Sequence, residues 1–121
     1  MEFDAFVNRI IDEGISAARE SYRDRPVHLE GAVAGFECCR GRDVPGLRAA
    51  LQVAREEKTA ARLRTDPKYW MYACFAAEVE WVCNCVSAAL LNQGLPTIVT
   101  PTARGFMKAA AVAGTKPLGD A

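Results

Sequence analysis

The chain has 121 residues, half of them hydrophobic and a quarter charged, with 15 lysines and arginines balanced by 15 aspartates and glutamates. That composition excludes a disordered or fibrous polymer, and the length fits one domain that buries about two-thirds of its unfolded surface. Zero net charge removes the long-range steering toward nucleic acid or an anionic membrane that a basic protein would have.

The neutrality hides an asymmetry. Charges of both signs are dense up to Asp66, whereas from Pro67 onward only Lys68, Glu78, Glu80, Arg104, Lys108, Lys116 and Asp120 are charged. We expect the first half to supply the wet surface and the second half the core or an interface. Glu2 and Asp4 stand where a secretion signal would carry basic residues. A cytoplasmic chain is therefore expected, with Cys38, Cys39, Cys74, Cys83 and Cys85 as free thiols. The alanine- and arginine-rich, lysine-poor composition fits a GC-rich prokaryote or its phage.

In chain order, Phe3, Phe6, Val7, Ile10, Ile11, Ile15, Ala18 and Tyr22 recur at steps of three and four. They predict a first amphipathic helix from about Phe3 to Tyr22. Arg23-Asp24-Arg25-Pro26 breaks it, and Pro26 suits the first position of a second helix reaching about Arg40. Within that helix Gly31 and Gly35 stand four apart, with Ala32 and Ala34 alongside. Each mid-helix glycine costs about 1 kcal/mol relative to alanine. The pair therefore predicts a face of small residues that lets another backbone come close. Gly41 ends this helix, and Asp43 with Pro45 starts a third that runs to about Arg64. Its apolar stripe of Leu47, Leu51, Ala54 and Ala61 is thin and interrupted by Lys58.

The fourth helix, Pro67 to Gly94, is apolar nearly all the way round and bracketed by Asp66-Pro67 and Gly94-Leu95-Pro96. A helix with so little polar surface must be surrounded, by its own chain or by a second copy. Glu78 and Glu80 near its middle argue against a membrane span. A central carboxylate costs about 2.5 to 3.5 kcal/mol on insertion, while each Leu, Phe or Val returns only about 0.3 to 0.6.

Prolines flanking Thr97-Ile98-Val99-Thr100 then predict an extended segment with Ile98 or Val99 packed inward. Thr100-Pro101 opens a short last helix to about Ala113, ended by Gly114, before a flexible tail over 115–121. The expected fold is all-α: a compact helical bundle of four main helices plus a short C-terminal helix within residues 1–114. The long apolar fourth helix is central, the first packs on it through the Phe/Ile stripe, and the second through its glycines.

Signals of chemistry are few. Successive helical residues turn by about 100°, so Glu78 and Glu80 diverge and cannot form a catalytic pair. Glu80 shares its side with Ala73, Asn84 and Ser87, expected to be the wet or partner-facing strip. Glu78 sits with Cys74, Trp81, Val82 and Cys85 on a face expected to be buried, where a carboxylate must be paired, hydrogen-bonded or protonated. We expect an ion pair to an arginine of the first half or to His28, the single histidine. The alternative is a pocket carboxylate with a raised pKa, with His28, Cys74 and Cys85 as companions.

The His28-Leu29-Glu30 spacing does not suit a di-metal carboxylate site, and the cysteines lack the separations that let a loop wrap zinc. No metal or cofactor is expected, and the cysteines read as small buried hydrophobes. Glu37 and Arg40, three apart, read as a solvated charged edge. Arg48, Arg55 and Arg62 stand seven apart along the third helix and form a stripe able to track phosphates, although Glu56 and Glu57 share the helix. Arginines so placed commonly snorkel or pair with acids from a neighbouring element.

No P-loop, dinucleotide glycine pattern, nucleophile elbow or metalloprotease helix is present in the sequence. The sequence favours a non-enzymatic cytosolic protein that binds another protein as an adaptor, assembly factor or inhibitor. It is expected to be homo-oligomeric through Trp70, Tyr72, Trp81, Glu80 and Asn84, because a chain of this length only partly jackets so long a helix. The alternatives are a helical nucleic-acid-binding module using the arginine stripe, and a small-molecule pocket or enzyme around Glu78.

Overall fold

The computed structural model describes residues 3–100 and 107–111. Among them are four long helices, α1 (Phe3–Ser21), α2 (Pro26–Cys38), α3 (Val44–Leu63) and α4 (Tyr69–Asn92), a helical stretch over 107–111, and no strand. The chain is an all-α bundle built on the long apolar α4. Helices α2 and α3 pack on α4 most extensively, while α1 lies against α2 and more narrowly on α4. The tail over 115–121 and most of the last helix expected from Pro101 to Ala113 lie outside the described residues.

Local chemistry sets the helix ends. The Asp43 carboxylate accepts the Gly46 N–H at 2.8 Å and caps α3 as its sequence predicts. Helices α3 and α4 both end in the crossed hydrogen bonds of a Schellman turn. Asp66 N–H reaches the Ala61 carbonyl at 2.9 Å and Thr65 N–H that of Arg62 at 3.1 Å. Likewise Leu95 N–H reaches Leu90 at 2.9 Å and Gly94 N–H reaches Leu91 at 3.0 Å. Such a turn needs one left-handed residue. Gly94 adopts it freely at φ 74°, whereas at the end of α3 the position falls to β-branched Thr65 at φ 52°. Helix α4 begins at Tyr69 and not at Pro67, because the Asp66 carboxylate accepts the Lys68 N–H at 2.8 Å and holds 66–68 in a turn.

The two glycines of α2 do what their spacing implies. A Cβ on Gly31 would lie 2.1 Å from the Met71 carbonyl oxygen, and one on Gly35 would lie 2.6 Å from that of Phe75, so the α2 and α4 backbones touch. A third glycine acts the same way. The Phe36 ring of α2 sits where a Cβ on Gly14 would be, 2.3 Å from its nearest atoms. Through that seat α1 also meets α2, while its Phe/Ile stripe packs, as expected, against α4 in a core shared with α2. Phe6, Val7, Ile10 and Ile11 are buried there with Phe36, Val79, Val82 and Val86, each worth about 1.5–3 kcal/mol if fully removed from water. At the outer edge Arg40 donates to both Glu37 oxygens (2.9 and 3.0 Å), to Asp12 at 2.7 Å and to Asn8 at 3.3 Å. The hydrogen bonds from Arg40 hold the Glu37 carboxyl below its ordinary range. Being exposed, the network orients α1 on α2 more than it stabilises them.

The segment after α4 is fastened by one buried side chain. Ser87 is fully buried, and its Oγ accepts the N–H of Ile98 at 3.0 Å and of Val99 at 3.2 Å. Ile98 and Val99 both pack against the core. Arg48 donates to the Thr97 carbonyl at 3.3 Å. Of the strip of Ala73, Glu80, Asn84 and Ser87, expected to be wet or partner-facing, Ala73 and Ser87 are buried, while Glu80 and Asn84 stay part-exposed. A serine can sit inside wherever a neighbouring segment brings donors to it.

Candidate functional site

Helix α1 leans on α2, so it leaves α4 uncovered along one edge. The result is a groove of about 600 Å³ between α1 and α4, floored by Phe36. Gly14, Ala17, Ala18 and Ala77 line it with little bulk, and Tyr22, Trp81 and Glu78 supply its larger side chains. Glu13 and Lys108 stand at its margin. Its size lies within the range of small-molecule sites, about 300–1,000 Å³.

Glu78 is the chemically unusual group. It is half-buried, and among the described residues no cation comes within ion-pair distance of it. Burial alone pushes its carboxyl up from 4.5 to about 7. Two neighbours respond to it. The Tyr22 hydroxyl is raised chiefly by burial, then by Cys74 and Glu78 nearby. The Cys74 thiol is raised by burial, an effect opposed by its contact with the Tyr22 hydroxyl and reinforced by Glu78.

The expected ion pair from Glu78 to an arginine or to His28 does not form among the described residues. His28 lies at the first turn of α2 and stacks on Trp70, ring centroids 5.4 Å apart and planes 15° off parallel, with the tilted Tyr22 ring 5.7 Å away. Trp70 is eight residues before Glu78, about 12 Å along the α4 axis at 1.5 Å per residue. The histidine is spent on an aromatic stack at one end of the bundle. Of the expected companions only Cys74 lies near Glu78; Cys85 is fully buried in the core and does not line the groove. Burial pushes the Cys39, Cys83 and Cys85 thiols up to about 12, which keeps them protonated and unreactive. Two of them donate inward, Cys39 to the Gly35 carbonyl at 3.4 Å and Cys83 to that of Leu47 at 3.7 Å. Among the described residues, no three His, Cys, Asp or Glu side chains converge as metal ligands would.

The proposed interface residues spread over two surroundings. Trp70 is 57% exposed, while Tyr72 is half-buried under the Arg64 guanidinium, 5.3 Å from its ring centre. Trp81 forms a ridge between the α1 groove and a smaller hollow of about 280 Å³ on the α3 side, where Glu80 and Asn84 lie. The arginine stripe is partly committed within the chain. Arg55 pairs with Glu80 at 3.3 Å and Arg48 binds the Thr97 carbonyl, leaving Arg62 exposed on the surface.

The groove walls Tyr22, Gly14 and Phe36 were not legible as site residues, although Gly14, mid-helix in α1, carried the same signal as Gly31 and Gly35. Comparison of the chain with protein-family models, with curated proteins and with solved structures yields no match. Its class is thus described by its own geometry: an all-α bundle with an aromatic-walled groove around a carboxylate that lacks a described counter-charge.

Proposed function

We propose that this chain is a non-enzymatic, cytoplasmic binding protein of the adaptor, assembly-factor or inhibitor kind, which closes the open face of α4 by pairing with a second copy. One observation carries the proposal. The most apolar stretch of α4 is long and apolar enough to cross a membrane, yet only 50% of it is buried by its own chain. Trp70, Ala77, Trp81 and Asn84 follow one another at steps of seven, four and three along that side. Ala77 is exposed, and Trp81 and Asn84 are half-buried. Glu78 and Glu80 at mid-helix weigh against lipid, because a carboxylate at that depth costs about 2.5 kcal/mol or more. Aromatic residues around small ones suit a self-complementary protein contact.

The experiment is light scattering after size-exclusion chromatography of the purified chain and of an Ala77→Glu variant, which places a charge on the exposed strip. A native dimer or larger species that becomes monomeric on substitution supports the proposal, and a native monomer overturns it. The absorbance ratio at 260 and 280 nm from the same peak tests the nucleic-acid reading, which the engagement of Arg48 and Arg55 within the chain weakens. A second reading, a small-molecule site, is favoured by the groove and by Glu78, which has no ion-pair partner among the described residues.

A further inference from the structure

We propose that the groove between α1 and α4 binds a small organic cation, an amine or guanidine on an apolar body, held by Glu78 and by the Tyr22 and Trp81 rings. The inference deepens the small-molecule reading and needs no self-association. Its premise is the mismatch between the groove and Glu78, the one half-buried charge among the described residues that line it. The walls are mostly apolar or aromatic, with Ser21, Glu13 and Lys108 also lining them, the volume is about 600 Å³, and Glu78 faces it without a described counter-ion. The other carboxylate at the margin, Glu13, is already matched by Arg9 at 3.5 Å. Lys108 lines the same groove but makes no ion pair with Glu78 within 4 Å.

A bound ammonium or guanidinium would supply the missing charge through a charge-assisted hydrogen bond, roughly twice as strong as a neutral one. Trp81 is the best aromatic partner for a cation, and Tyr22 the next. The small residues Gly14, Ala17, Ala18 and Ala77 leave room for the apolar body. An anion would meet Glu78 directly and be repelled.

Protonation links binding to pH. The carboxyl of Glu78 titrates at about 7. Tyr22, Glu13 of α1 and Lys108 line the groove with it, Cys74 of α4 feels its charge, and Arg25 acts on Tyr22. Tyr22 and Cys74 have their pKa values raised and keep their protons. Cation binding therefore tightens as pH rises through the titration of Glu78.

The test is isothermal titration of the full chain with phenylpropylamine, phenylpropanol and phenylpropionate, which share a body and differ in head group. At about pH 8 the amine, which stays charged, binds at least about tenfold more tightly than the alcohol, and the acid binds most weakly. In Glu78→Gln the amine falls to the affinity of the alcohol. In the native chain its affinity drops severalfold between about pH 8 and about pH 5.5, an arm that holds even if the variant fails to fold. Equal binding of all three compounds overturns the cation inference while leaving a ligand groove in place. Failure of all three to bind at millimolar concentration overturns both. A folded Glu78→Gln chain with unchanged amine affinity also overturns the inference. Light scattering on the same samples keeps these outcomes separate from self-association.

Discussion

A Cβ placed on Gly31 would stand 2.1 Å from the Met71 carbonyl oxygen, so α2 and α4 meet backbone to backbone with no side chain between them. The obstacle is main chain and cannot swing aside. On an open helix face Gly→Ala would gain about 1 kcal/mol of propensity. Here the clash exceeds that gain, because overpacking costs about 1–3 kcal/mol and more where backbone must move. Gly31→Ala should lose about 2–3 kcal/mol net, lowering Tm by about 8–12 °C at roughly 2.1 cal/mol/K per residue. Thermal unfolding by circular dichroism measures it, and an unchanged or higher Tm would refute the close approach.

Thr65 is expected to behave in the opposite sense. It closes the end of α3 at φ 52°, a backbone region costing a non-glycine residue about 1–2 kcal/mol. Thr65→Gly removes that strain but adds freedom to the unfolded chain, leaving a net gain of about 0.5–1 kcal/mol. The urea midpoint should rise.

Ser87→Ala would leave the Ile98 and Val99 N–H groups without their acceptor. An unsatisfied donor costs about 1–3 kcal/mol, and since both residues are only half-buried a total loss of about 2 kcal/mol is expected. Hydrogen exchange at those two amides should accelerate well before the rest of the fold, and unchanged protection would show that Ser87 does not hold the segment.

Glu78 gives the stability curve a definite slope. Its carboxyl titrates at about 7 in the folded chain against an ordinary 4.5. Between those values the folded state keeps a proton that the unfolded state has lost. Stability contributed by the protonated form is complete below about pH 4.5 and is lost as pH rises through about 7. Water reaching the open groove screens the charge, which limits the loss to about 1–2 kcal/mol. The unfolding free energy from urea titrations should fall by that amount from about pH 5 to about pH 8 in the native chain and stay level in Glu78→Gln. A native slope of the opposite sign would mean that Glu78 has found a cation.

The helices, their capping signals and the glycine seam between α2 and α4 were legible because each is a local pattern. Periodicity of three and four, Asp43 before Pro45, and Gly31 four residues from Gly35 state their meaning within a turn or two of helix. The fate of Glu78 and Ser87 was not legible for a matching reason. Angles around α4 separate their faces correctly, but an angle does not say which neighbour covers a face. Phe36 seated on Gly14 draws α1 onto α2, and that one contact helps leave the edge of α4 at Glu78 open. The returning segment at Ile98 and Val99 covers Ser87.

By itself, then, the sequence determined an all-α chain organised around one long apolar helix, since periodicity, caps and composition act over neighbouring residues. Only the tertiary structure decided that His28 stacks on Trp70, that Arg55 is spent on Glu80, and that Glu78 faces a groove without a described counter-ion. Those outcomes depend on contacts between residues far apart in the chain. Burial, desolvation and charge pairing exist only once these residues have been brought together.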